Sequence, residues 1–303
     1  MNYQIIKHSS WFLTLAAVAL GFALIALFSW GLRFGLDFTG GSLLEVKYSN
    51  YQPSLTEVQD ALKDSNLSGL IIQPTDSSVL IRFQENSEEA HQAAVGSLKK
   101  IAEGRDGVEF KELQFESVGP SIGQELKQKS FNAVFLALIM IILYISATFR
   151  KVSKPVSSWK YGLIAIIALA YNIIFTLGAF AALGHFYGVE INTPFIAALL
   201  TILGYCVNDT IIVFDRIREN LPKSRENFSD TVNLSLNQTL SRSINTSFTV
   251  LLALIAIFLF GGESIRDFTL AMIIGVIAGT YTSIFTASPL LVIWDNFSRR
   301  RAS

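Results

Sequence analysis

The chain has 303 residues, 51% of them hydrophobic and only 16% charged, and its mean hydropathy is +0.44. Lys plus Arg and Asp plus Glu stand at 24 each, so net charge carries no signature of nucleic-acid binding. The apolar excess excludes an ordinary soluble domain, and the charges gather between six long stretches that are uncharged but for Asp209, the pattern of a polytopic α-helical membrane protein.

The first stretch, Trp11–Leu32, is long enough to cross a hydrocarbon core of roughly 30 Å as a helix. No small-residue cleavage site follows it, so residues 1–32 read as an N-terminus and a retained first span rather than a signal peptide. The chain then runs through Arg33-Phe-Gly-Leu-Asp-Phe-Thr-Gly-Gly41. Gly40 and Gly41 permit backbone angles closed to other residues, and Asp37 and Thr39 can bond turn backbone. This hinge or turn motif of Asp37, Gly40 and Gly41 is expected to carry the chain from the span into a strand, with a second joint at Gly119-Pro120.

Residues 33–130 have a soluble composition. Ser42–Tyr48 is strand-like, and Ser54–Asp64 is a predicted helix opened by Ser54-Leu-Thr-Glu57, a capping-box pattern. Leu70–Gln73 and Val79–Phe83 are short β-rich runs around the turn signal Pro74-Thr-Asp76. Ser87–Glu103 is a second helix, with acidic residues first and Lys99 and Lys100 last, as the helix dipole favours. Val108–Phe115 supplies a closing strand. The order βαββαβ predicts one α+β, ferredoxin-like external domain between spans one and two. His91 is its one histidine, expected to be solvated or half-buried, and no catalytic constellation accompanies it. The domain reads as a binding or mechanical module rather than an enzyme.

Residues 131–303 hold the other five spans: Phe131–Phe149, Tyr161–Gly184, Ile191–Phe214, Ser243–Gly262 and Phe268–Trp294. Lys and Arg set their orientation. Arg150, Lys151, Lys154 and Lys160 separate spans two and three. Arg216, Arg218, Lys223, Arg225 and Arg242 lie between spans four and five, and Arg299, Arg300 and Arg301 form the tail. The connections Gly184–Glu190 and Gly262–Asp267 carry only Arg266. Both termini are therefore expected in the cytoplasm and Arg33–Ser130 outside. Gly275, Gly279 and Ser283, four residues apart, offer span six a small-residue face for close helix contact. The single cysteine, Cys206, allows no internal disulfide and no cysteine metal site, and reads as a packing residue. Neither a metal nor a cofactor is implied.

The fourth span is interrupted by Asp209. A charge near mid-bilayer costs about 2.5–3.5 kcal/mol on insertion scales, so an acid there is a functional candidate. A helix from about Pro194 to Asn220 would be roughly 40 Å long and place Asp209 near its middle. Thr201, Tyr205, Asn208 and Asp215 would share a stripe with Asp209 at its edge. Ser235, Gln238, Arg242, Asn245 and Thr249 fall on one face of the helix leading into span five, at a depth that lets Arg242 reach Asp209. Burial disfavours a charged aspartate and a nearby arginine favours it, so an acid held between the two can take and release a proton. Each proton crossing 100 mV releases about 2.3 kcal/mol. The competing readings make Asp209 a packing hydrogen-bonder and Arg242 an anchor reaching to the cytoplasmic interface.

Four motifs carry a resemblance: Phe34–Gly41 (FGLDFTGG), Val118–Leu126 (VGPSIGQEL), Asn208–Asn220 (NDTIIVFDRIREN) and Leu240–Gly262 (LSRSINTS…FLFGG). In order and in number of spans the chain resembles the SecF branch of the bacterial SecD/SecF protein-export family, in the resistance-nodulation-division superfamily. The resemblance implies a plasma (inner) membrane subunit that pairs with SecD as a heterodimer and associates with the SecYEG channel. It also implies use of the proton-motive force to draw unfolded exported polypeptide outward, after ATP-driven pushing by SecA. The family's proton path falls on Asp209 and Arg242, with Asn208 and Asn245 in the same motifs, and Asp215 matches a second family acid. A partner must supply the other six spans.

A proton-driven small-molecule or lipid exporter of the resistance-nodulation-division type is the alternative, but such exporters generally join twelve spans and two large external domains in one chain. An intramembrane aspartyl protease needs two facing aspartates. Asp209 and Asp215 share one helix, roughly 240° apart, and no GxGD motif occurs. A purely structural scaffold leaves Asp209 unexplained.

Overall fold

A computed structural model describes residues 3–75, 77–105, 107–148, 158–262 and 265–302. Asp76 of the expected turn and Arg150, Lys151 and Lys154 of the expected basic loop lie outside these residues, as do the side chains of Arg299, Arg300 and Arg301. Contacts divide the chain into two compact units, one of residues 34–131 and one of residues 1–33 with 132–303.

In the smaller unit, a short helix α2 (Leu36–Thr39) precedes β1 (Gly41–Tyr48). Helix α3 (Leu55–Leu62), β2 (Ile71–Pro74), β3 (Val79–Phe83), α4 (Glu88–Glu103) and β4 (Phe110–Val118) follow. The sheet is antiparallel in the order β2-β3-β1-β4, the ferredoxin-like arrangement that βαββαβ predicts. Alternation along the strands puts Leu44, Val46, Tyr48, Val79, Ile81 and Phe83 on one face, where they pack against Val58, Leu62, Ala94 and Leu98 of the helices. Ser54 and Ser87 cap α3 and α4, each accepting from the amide three residues on. The closing strand lies two to three residues later than the sequence suggests, because β4 pairs along the whole of β1, from Tyr48↔Phe110 to Gly41↔Val118. A register shift opposite Glu45 and Val46 takes up one residue.

His91 is buried, not solvated. Its ring stacks on Phe115, with centroids 3.8 Å apart, and its nitrogens lie 3.3 Å from Glu88 and 3.0 Å from Glu112. The side chain ties α4 to β4. Glu88 is thus more than a partner for the helix dipole.

The membrane-crossing helices begin with α1 (Ser9–Trp30). Helix α5 (Pro120–Thr148) starts well before the apolar run at Phe131, because its first turns are polar but good helix formers, opened by proline and supported by a Lys129–Glu125 pair at 2.7 Å. Helices α6 (Ser158–Tyr187), α7 (Thr193–Asn220) and α8 (Phe228–Phe260) follow. The last span is α9 (Arg266–Thr282), a π-helical turn (Ser283–Ala287) and α10 (Ser288–Ala302). Among the described residues, six helices are long and apolar enough to cross a membrane. Within the larger unit α6, α7 and the last span carry most of the buried side chains. In contrast, α1, α5 and α8 expose large apolar groups such as Phe22, Phe28, Phe135, Met140, Phe248 and Phe260, as lipid-facing helices do.

Small residues set the closest crossings. A Cβ on Gly178 would lie 2.5 Å from Ala23, so α1 and α6 touch backbone to backbone. Between α7 and α9 the expected small-residue face is in place. Gly275 sits against Ile202 and Gly279 against Cys206, while Ser283 bonds Thr210 at 2.9 Å. Each step is four residues on both helices, so the two run parallel along one seam.

Candidate functional site

Helix α7 is capped by Asn192, whose side chain accepts from Phe195 N at 3.1 Å, and Pro194 occupies its first turn. Asp209 lies near its middle and is only 7% exposed. Pairs of side chains join α7 to α8 along their length: Asn220 with Ser235 at 2.9 Å, Arg216 with Gln238 at 2.7 Å, Asp209 with Ser243 at 2.6 Å and Tyr205 with Ser247 at 3.0 Å. Ser247 also meets Thr280 of α9 at 2.6 Å. Beside them, Thr210 bonds Ser283, and Thr282 donates to Asn172 of α6 at 2.8 Å. The acid thus meets one hydroxyl, that of Ser243, rather than an oppositely charged side chain.

The two carboxylate oxygens differ. Oδ1 accepts from the Ser243 hydroxyl, whereas Oδ2 is buried with no hydrogen-bond partner among the described residues. An unpaired buried carboxylate oxygen is costly, and it is also the atom open to a proton.

The structure does not bring the Arg242 guanidinium into contact with Asp209. Neighbouring residues on a helix are turned about 100° apart, so with Ser243 facing α7, Arg242 faces outward. It remains near enough to act electrostatically on Asp209. Arg242 lines a polar hollow of about 270 Å³ with Ile212, Asp215, Arg216, Glu219, Gln238 and Thr239. The predicted face of α8 is split as well: Gln238, Arg242, Asn245 and Thr249 are exposed, while Ser235 is buried. On α7, Thr201 and Asn208 are exposed, and Asp215 stands in the open, 3.7 Å from Arg218. A row of polar residues therefore faces outward from the middle of two membrane-crossing helices, where protein or enclosed water must cover it.

Sequence reasoning passed over Ser243, Thr210 and Asn172, and read Ser283 only as a small packing residue. The available signal was Ser243 and Ser247, four residues apart and so on one helix face, in the motif that drew attention to Arg242.

The two turn motifs converge in the smaller unit. Gly40 and Gly41 have φ of +72° and +112°, and Asp37 sits half-buried in α2. A Cβ on Gly40 would lie 2.9 Å from the Pro120 Cα, and one on Gly41 would lie 2.6 Å from the Phe83 carbonyl. Gly123 closes the contact, with a Cβ there 3.2 Å from Gly40 N. Glycine is required both by the backbone angle and by the approach of neighbouring backbone.

Comparison with known proteins bears on both regions. Residues 97–297 match the family described as protein export membrane protein SecD/SecF, C-terminal, and residues 25–51 match the SecD/SecF GG motif. A protein translocase subunit SecF from Thermobaculum terrenum is 40% identical over 96% of this chain and 92% of its own length. Its counterpart from Haemophilus influenzae is 36% identical over 94% of this chain and 83% of its own. The crystal structure of SecDF, a translocon-associated membrane protein from Thermus thermophilus, superposes with a TM-score of 0.82 at 31% identity. The match covers 98% of this chain but 39% of that one. SecDF in its super-membrane-facing form gives a TM-score of 0.66 at 33% identity, covering all of this chain and 40% of that one.

Proposed function

The chain belongs to the SecD/SecF family of protein-export membrane proteins, and from that membership we propose that it is a translocase subunit coupling proton movement to late-stage export. It works with SecD as a heterodimer beside the SecYEG channel, on unfolded polypeptide already pushed outward by SecA. It sits in the bacterial plasma membrane with both termini cytoplasmic, a topology supported by the basic connections between spans. Its role is mechanical rather than enzymatic.

The observation that carries the reading is Asp209, buried in a membrane-crossing helix with Oδ2 unpaired. An acid in this setting can hold a proton at Oδ2 and release it, while Arg242 acts on it across the gap and Asp215 stands at the edge of the polar hollow. Asn208 and Asn245 are both exposed, and add polar groups to α7 and α8 of the kind a proton path needs. The outward direction of that face supports a second set of spans packed against it, and we assign these to SecD. The packed corner at Asp37, Gly40 and Gly41 is the proposed pivot, a fulcrum held against Pro120 rather than a loose linker.

Export into inverted vesicles, with and without an uncoupler, tests the reading. Asp209→Asn keeps shape and hydrogen-bonding capacity but cannot cycle a proton. Its uncoupler-sensitive stimulation is expected to vanish while assembly with SecD survives. Stimulation equal to the parent's would leave Asp209 as a packing residue and overturn the proton role.

A further inference from the structure

We propose that Ser243 is the positioning residue for Asp209: its hydroxyl holds Oδ1 and so leaves Oδ2 as the oxygen that carries the proton. The inference rests on the proton role just proposed, but its geometry stands apart from that role. A hydroxyl in an apolar span ordinarily returns to a carbonyl of its own helix. On α8, Ser235 donates to Thr231 O at 2.8 Å, Thr239 to Ser235 O at 3.1 Å, Thr246 to Arg242 O at 2.8 Å and Thr249 to Thr246 O at 2.9 Å. Ser243 instead reaches across to α7, at 2.6 Å, from a side chain that is itself only 2% exposed.

The reason is chemical. A hydroxyl bonded to a carboxylate is roughly twice as strong as one bonded to a neutral carbonyl, and burial from water keeps that advantage. With Oδ1 engaged, a proton arriving at Asp209 forms its O–H bond at Oδ2 and leaves from the same atom, and the serine keeps its own proton throughout. The other titratable or charged groups around Asp209 are Tyr205 and Cys206 on α7 and Arg242 on α8. Tyr205 is committed to Ser247, Cys206 points its sulfur toward Gly275 O at 3.7 Å, and Arg242 faces the hollow. Ser243 is thus the one group among them that bonds the acid directly.

A carbodiimide, which couples to protonated carboxyl groups, reads the geometry without relying on export. The full chain is labelled in native membrane vesicles at one fixed pH, and the Asp209 adduct is quantified by peptide mass spectrometry, with Asp209→Asn as the blank. Removing a donor to the ionised form raises the protonated fraction, so Ser243→Ala should label roughly threefold faster or more. Ser243→Thr, which keeps the hydroxyl, should label within about twofold of the parent. In the export assay Ala should lose most of the uncoupler-sensitive stimulation and Thr should retain it. Labelling of Ser243→Ala at the parent rate, or a threonine variant as altered as the alanine one, overturns the proposal. If the alanine variant does not accumulate, Ser243→Cys, with its weaker donor, decides by the same criterion. Faster labelling together with Asp209→Asn that still exports in an uncoupler-sensitive manner would uphold Ser243 and sink the proton role alone.

Discussion

Gly279 lies directly against the thiol of Cys206, with no side chain of its own between α9 and α7. The contact continues a seam with Gly275 against Ile202 on one side and Ser283 bonded to Thr210, the neighbour of Asp209, on the other. Cys206 is buried and free, so its value here is its size. Gly279→Ala would force a methyl group onto the sulfur and should destabilise the bundle by about 1–3 kcal/mol, the usual range for overpacking. Cys206→Ala alone should cost less. Combining the two should recover most of the loss, because the smaller residue at 206 makes room for the methyl at 279. Thermal unfolding of the purified variants in detergent checks this, and additive losses in the double variant would refute the size-matching account.

In the external domain, Glu57 gathers three donors: the Tyr51 hydroxyl, Arg105 at 2.6 Å and the amide of Ser54, which completes the capping box. The Tyr51 hydrogen bond is the largest influence and lowers the carboxyl below its ordinary 4.5. Partial burial opposes this, and Arg105 and Ser54 add to the lowering. A folded-state value below the unfolded one means that the stabilisation is fully present above about 4.5. It is lost as pH falls through the folded value. Glu57→Gln should therefore loosen α3 by about 1 kcal/mol at pH 7, discounted for solvent screening, and should match the parent in strong acid. Hydrogen exchange of the α3 amides in the full chain, corrected for intrinsic rates, measures the difference. A gap that persists unchanged in acid would show that packing, not charge, is responsible.

Several of these elements were legible in the residues. Val79–Phe83, the serine cap of α3, and Gly275-x-x-x-Gly279 each express a local rule, whether alternation, capping or small-residue spacing, that tertiary contacts reinforced. The early start of α5 was hidden because hydropathy reports where a helix meets lipid, not where it begins. The short helix α2 falls between two glycines, in a stretch too brief for periodicity to register. The choice of Ser243 over Arg242 turned on a helix rotation of about 100°, finer than a depth estimate along the axis can resolve. The π-helical turn at Ser283–Ala287 depends on how the last span meets its neighbours and leaves no local signal.

Arg242 separates two accounts of the outward polar face. As an interfacial anchor, its charge would only need to sit near the cytoplasmic surface, and Arg242→Leu would disturb topology or accumulation while leaving proton coupling intact. As part of the proton path, its positive charge acts on Asp209 across the gap without a hydrogen bond, so charge should matter more than the planar fork. Arg242→Lys should then keep most of the uncoupler-sensitive export, and Arg242→Leu should lose about tenfold of it, roughly the effect of 1.4 kcal/mol. Direct bonding would predict the opposite ranking of causes, with lysine failing nearly as badly as leucine, because a guanidinium fork cannot be replaced by an ammonium. Export into inverted vesicles for the parent and both variants, at matched accumulation and matched assembly with SecD, distinguishes the two accounts. Equal uncoupler-sensitive export in the leucine variant would remove Arg242 from the path and leave Asp209 and the Ser243 hydroxyl to do the coupling.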